Sequence, residues 1–177
     1  MTKFHAIMII LIIVAFAAGI AIGTRYYKIP QIEKALQEIT PSSSYDVDNT
    51  GFVVANVSLD GVNIGLRNDC YGINFDITID QAYSIGRSLL NEPSARPLTH
   101  DIFRDLLDGF NVSIRAIRIE RYGDEIYYAR MFVQSGNKVL DIDMRPSDAI
   151  ALSLRTKNNL LINETMLKER GINLCNI

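Results

Sequence analysis

The distribution of apolar and polar positions divides the chain into three stretches. Ala6 to Gly23 reads AIMIILIIVAFAAGIAIG, a run of 18 residues without a charge. As a helix at 1.5 Å per residue, such a run covers about 27 Å, close to the hydrocarbon thickness of a bilayer. Arg25, Tyr26, Tyr27 and Lys28 follow at once, as an interfacial anchor would. Residues 1–28 are therefore expected to form a transmembrane signal-anchor. Ala15-Phe16-Ala17 offers the small residues a signal peptidase requires. The apolar run continues past that point to Gly23, however, which favours an uncleaved anchor. Residues 29–44 read as a juxtamembrane helix and linker. Ile29, Ile32, Leu36 and Ile39 recur at spacings of three, four and three, and Pro41-Ser42-Ser43-Ser44 makes a hinge. The stripe is too short to hold a coiled coil by itself.

The third stretch, 45–177, shifts between strand and helix periods. Phe52–Leu59 predicts a strand, with Asp60-Gly61 turning it into Val62–Arg67, and Ile73–Ile79 predicts a third strand. Asp80 can cap a helix to about Leu90, with Ala82, Ile85 and Leu89 on one face. Thr99 can cap a second helix through Gly109. Ser113–Arg121 alternates imperfectly, and Ile126–Gln134 and Lys138–Met144 follow across turns at Gly123-Asp124 and Ser135-Gly136-Asn137. Arg145-Pro146-Ser147-Asp148 opens a third helix to about Thr156. Leu160–Ile162 is a short strand, and Asn163 can cap a last turn or two. The fold class is α+β, a mixed and mostly antiparallel sheet with about three packed helices.

Composition narrows the function. Residues 41–177 hold 14 basic against 18 acidic residues, so affinity for nucleic acid must rest on a local patch or on metal ions. Around the apolar run, the N-side offers Lys3 and the C-side Arg25, Lys28 and Lys34. That balance leans toward a cytoplasmic domain. Cys70 and Cys175 have no metal-site spacing. They read either as ordinary thiols of a reducing compartment or as a disulfide of an outward-facing domain.

Two clusters carry chemistry. Arg96-Pro97-Leu98-Thr99-His100-Asp101 places a guanidinium, a hydroxyl, an imidazole and a carboxylate at a helix N-terminus, where backbone N–H groups favour an anion. His100 can move a proton. Without a ligand, the same residues cap and complement the helix dipole. Asp141-Ile142-Asp143-Met144-Arg145-Pro146-Ser147-Asp148 is the second cluster. Asp141 and Asp143 share one face of a strand, and Asp148 follows at a helix start. Carboxylates of this kind suit Mg²⁺ or Mn²⁺, and Arg145 and Arg155 suit phosphate oxygens. Their structural alternative is a capped helix with Arg145 paired to a nearby aspartate. No nucleophile elbow, phosphate-binding loop, zinc-protease helix or dinucleotide fingerprint is present in the sequence.

Taken together, RPLTHDIFRDLL (Arg96 to Leu107), Tyr127-Tyr128-Ala129-Arg130 and DIDMRPSDAIALSLRT (Asp141 to Thr156) resemble the bifunctional nuclease domain family. The resemblance covers about Phe52 to Leu167. It implies activity on both DNA and RNA, and carries over Arg96, His100 and Asp101 from the first motif and Asp143, Arg145, Ser147 and Asp148 from the second. Here INFDITIDQAYSIG places Gln81-Ala82 where the family has Glu-Ala, and an amide cannot serve as a base.

The expectation is a membrane-tethered nuclease, with Asp141, Asp143 and Asp148 as the metal-ligand set and His100, Asp101, Asp143 and Asp148 as its catalytic set. Arg96, Arg145, Ser147 and Arg155 would bind substrate. Gln81 and the acidic balance motivate an alternative, a non-catalytic binding or regulatory domain at the membrane. Homo-oligomerisation is compatible with both.

Overall fold

The computed structural model describes residues 46–175. The expected anchor (1–28) and the juxtamembrane stretch (29–44) lie outside them. Among the described residues no helix is long and apolar enough to cross a membrane.

Two sheets form where the periodicity predicted one. The predicted strand over Phe52–Leu59 breaks at Ala55, and its halves join different sheets. β1 (Phe52–Val54) lies at the edge of a five-stranded sheet, and β2 (Asn56–Asp60) at the edge of a four-stranded one. β2, β3 (Asn63–Asn68) and β4 (Tyr71–Asp76) form an antiparallel meander. Gly61, at φ +60°, makes its first turn. In the larger sheet, β1 is followed by β8 (Leu160–Asn163), β5 (Ser113–Gly123), β6 (Ile126–Ser135) and β7 (Lys138–Met144). Only β5 and β8 are parallel. The hairpin between β5 and β6 turns through Asp124 and Glu125, both at positive φ, one residue later than Gly123-Asp124 predicted.

The imperfect alternation of β5 has a local cause. Its register against β6 slips between Ile114 and Ala116 and again between Ile119 and Arg121. Each slip inserts a residue, which shifts the phase of the side chains that follow. Ile117 and Ile119 therefore enter the core while Ala116 and Arg118 face the other side. Arg118 is buried there. Its guanidinium stacks on Phe52 and Phe132 and donates to the Asp48 carbonyl (2.9 Å) and Glu120 (2.6 Å).

Helix α1 spans Ile79–Leu89, α2 Thr99–Gly109, α3 Pro146–Thr156 and α4 Glu164–Arg170. The cap of α1 is Thr78 rather than Asp80. Thr78 Oγ1 accepts from Gln81 N and Gln81 Oε1 accepts from Thr78 N, a reciprocal capping box. Asp80 sits in the first turn, where its charge complements the helix dipole. Asn163 caps α4 as expected, accepting from Met166 N at 2.9 Å. The central element is α3. Ser147, Ala149, Ile150, Ala151, Leu152 and Ser153 are all buried, so it carries apolar or small residues nearly all round, the mark of an enclosed helix. Ile150 joins Ile85 of α1, Ile117 and Ile119 of β5 and Leu167 of α4 in one core.

Cys70 and Cys175 form a disulfide. Leu174 N donates to Cys70 O, and the two-residue strand β9 (Ile172–Asn173) pairs with β4. The turn into β9 needs Gly171, because a Cβ there would stand 2.9 Å from Gly72 O. The link joins residues 105 apart. A closed loop of that size removes much of the entropy of the unfolded chain. Cys175→Ser is expected to lower the free energy of unfolding by roughly 2–5 kcal/mol. Urea unfolding of wild type and variant, with and without dithiothreitol, checks this. A wild type indifferent to reductant would mean that the bond is not formed.

Candidate active site

The candidate site is built where the N-termini of α2 and α3 approach the middle of α1. Pro146 occupies the first position of α3, where its missing N–H costs nothing, and the Arg145 carbonyl accepts from Asp148 N (3.0 Å) and Ala149 N (3.1 Å). This places Asp148 in the first turn, where the helix dipole favours a carboxylate. Arg145 Nε donates to Asp148 Oδ2 at 2.8 Å and Nη2 to Oδ1 at 3.0 Å, a bidentate pair. That hydrogen bond raises the Arg145 pKa above its ordinary value. The Arg145 side chain is nevertheless 70% exposed.

His100 joins the pair from α2. Its Nε2 lies 3.2 Å from Asp148 Oδ1 and its Nδ1 lies 3.0 Å from Ser84 Oγ of α1. Ser84 Oγ also accepts from Arg155 Nη2 at 3.1 Å. A carboxylate at Asp148 can only accept, which assigns the proton to Nε2; in the neutral ring Nδ1 then accepts from Ser84 Oγ–H. The side chains of His100 and Asp148 are about a fifth exposed, so the pair is sheltered but reachable.

Arg155 is the fixed end of this chain. Its side chain is 4% exposed. Nε donates to Asp101 Oδ1 at 2.7 Å, Nη1 to Ala151 O at 3.0 Å and Nη2 to Ser84 O at 3.1 Å. The structure thus places Arg155 inside the helix trio, with its donors taken by protein groups, although the sequence suggested a phosphate ligand for it. Asp101 belongs to the same framework. Its Oδ2 accepts from Leu98 N at 2.8 Å and thereby caps α2, a task the sequence had given to Thr99. Burial alone would raise the Asp101 carboxyl, but the Leu98 N–H and Arg155 outweigh it and hold the group below the usual carboxylate range. Its stabilising contribution is therefore complete above the ordinary aspartate value near pH 3.9 and is lost only as pH falls through the lower folded value.

The cleft itself, about 910 Å³, is lined at this end by Asp143, Arg145, Ser147, Asp148 and Gln81. Ser147 is buried at its floor. Asp143 is exposed and faces Arg130 across the β6–β7 ladder. Asp141 is hydrogen-bonded to Arg130, which also pairs with Glu120. Arg96 stands exposed before α2 and does not line the cleft. The three aspartates do not converge. Asp141 is held by Arg130 and both oxygens of Asp148 accept from Arg145 or His100. Among the described residues no three His, Cys, Asp or Glu side chains gather as a metal-ligand set.

Residues 67–174, more than half of the chain, match the family described as the bifunctional nuclease domain. The chain belongs to that family. An uncharacterized protein of Mycobacterium tuberculosis is 34% identical over 77 residues, covering 44% of this chain and 45% of that protein. Bifunctional nuclease 1 of Arabidopsis thaliana is 26% identical over 88 residues, 48% of this chain and 27% of its own length. The matches thus span less than half the length of these curated relatives. Within this bifunctional nuclease domain, both motifs of the resemblance meet at one place, through His100 and Asp148.

Sequence reasoning missed Ser84 and the cap made by Gln81. Nothing local flags Ser84, whose partners lie 16 and 71 residues away. The pattern Thr78-x-x-Gln81 does carry a signal, since it is a capping-box spacing.

The two arginines are expected to separate. Arg155→Ala leaves Asp101 and Ser84 without their buried partner and should cost about 3–5 kcal/mol in urea unfolding. Arg145→Ala, at an exposed pair, should cost no more than about 1 kcal/mol. Equal losses for the two would refute the division between framework and site.

Proposed function

We propose that this chain hydrolyses phosphodiester bonds of DNA, RNA or both at the cleft beside Asp148. The observation that supports this most directly is the pair Asp148 and Arg145 in the lining of an open cleft, with His100 bonded to Asp148, in a domain whose plant relatives are named bifunctional nucleases. Arg145 is long, exposed and bound to a single carboxylate, so it can turn its fork to a phosphate. Its release frees Asp148 to accept a proton from an attacking water while His100 Nε2–H holds the carboxylate in place. The guanidinium then offsets the charge developing on the phosphoryl oxygens. Water adds to phosphorus, the ester P–O bond breaks, the departing oxygen takes a proton from solvent, and Asp148 releases the proton it accepted to solvent. Mg²⁺, Mn²⁺ and chelator are separate arms of the assay.

Full-length chain, kept in mild detergent for its apolar N-terminal run, should cleave labelled DNA or RNA. His100→Gln and Asp148→Asn should each lower the rate by roughly 10²–10⁴-fold. Equal rates in wild type and both variants would trace the activity to a contaminant and sink the assignment. A second reading, a non-catalytic binding domain, is favoured by one observation: Gln81 spends its carbonyl on the cap of α1. It expects no turnover but ligand binding that depends on Arg145.

The Cys70–Cys175 bond supports a domain on the oxidising side of the membrane, against the lean of the charge count. Protease added to intact cells should then digest residues 45–177. Protection until the cells are lysed would place the domain in the cytoplasm instead.

A further inference from the structure

Part of the cleft lining is aromatic. Phe75 and Tyr127 lie with ring centroids 5.2 Å apart, and Tyr122 and Tyr127 4.8 Å apart. The Arg170 guanidinium covers Tyr122 at 4.2 Å. All of these side chains line the cleft. The charged groups on its lining are unbalanced in the other sense. Asp76, Glu125, Asp143 and Asp148 stand against Arg145 and Arg170. A phosphate backbone laid along this whole surface would meet more negative than positive charge, whereas backbone-tracking grooves carry an excess of Lys and Arg.

A nucleobase meets different physics. It is neutral, its face stacks on aromatic rings, and its edge exchanges hydrogen bonds with carboxylates and amides. Two groups suited to that edge are present. Gln81 uses only its Oε1 in the cap, which leaves its Nε2 hydrogens for a ligand. Asp76 takes Asn63 Nδ2 on Oδ1 at 2.8 Å and keeps Oδ2.

We propose that the cleft is a nucleobase pocket, and that the substrate is therefore unpaired, single-stranded nucleic acid. One base leaves its stack and lies against the Tyr122–Tyr127 wall, with its edge toward Asp76 and Gln81. Arg145 takes the adjoining phosphate. A paired base offers neither its face nor its pairing edge, and a duplex brings a second phosphate strand to an acidic rim. The inference rests on the nuclease reading of the same cleft and narrows it.

The test is equilibrium binding by fluorescence anisotropy with the full-length chain in mild detergent. Three cleavage-resistant phosphorothioate probes are compared: a short single strand, its duplex, and the same single strand with abasic sites. The single strand should bind at least about tenfold more tightly than the duplex. Removing its bases should weaken binding roughly five- to hundredfold, because stacking supplies that much per base. Tyr122→Leu should weaken single-strand binding by a similar factor. The abasic comparison uses wild-type protein, so it holds whether or not that variant folds. Equal binding of intact and abasic strands, or of strand and duplex, overturns the base pocket and leaves the nuclease reading standing. No binding of any probe overturns both.

Discussion

The buried guanidinium of Arg155 is the interaction on which the site depends. It lies at the C-terminal end of α3 and reaches Asp101 of α2 and two atoms of Ser84 of α1, so one side chain joins three helices. A buried arginine is tolerable only when its charge and its donors are answered, and here a carboxylate, two carbonyls and a hydroxyl answer them. The chain of bonds continues to the cleft, because Ser84 Oγ also meets His100 Nδ1 and His100 Nε2 meets Asp148. The framework thus positions the imidazole that contacts Asp148.

This division explains the differing exposure of residues that looked alike in sequence. Arg145 and Arg155 both follow the β7 aspartates and both suit phosphate, yet one is 70% exposed and the other 4%. The helix between them decides it. Ten residues along α3 carry the chain from the cleft to the interface with α1 and α2, and the enclosed middle of that helix fixes both ends. The acidic lining of the cleft then sets a further condition. Two arginines among four carboxylates leave that lining with a net negative formal charge.

Much of the fold was legible because it follows from local rules. The turns at Gly61 and Gly136 need positive φ, β6 and β7 fall where their alternation placed them, and Asn163 caps α4 through its own side chain. The misses also have local causes. Ala55 divides a continuous apolar strand because its halves pair with different partners, and the bulges in β5 shift an alternation that a regular strand would keep. Choosing Asp80 over Thr78 as a cap overlooked the reciprocal partner three residues on.

The sequence by itself determined the elements, the family and the two motifs, since propensity, period and motif spacing are properties of neighbouring residues. It also named His100, Asp143, Arg145 and Asp148 as chemistry-bearing. Only the tertiary structure decided which of those side chains meet. His100 and Asp148 are 48 residues apart, Arg155 and Ser84 are 71 apart, and Cys70 and Cys175 are 105 apart. Periodicity reports the face on which a side chain sits, not the partner packed against it. The His100–Asp148 pair, the helix clamp and the disulfide are all such pairings, and each required the folded chain.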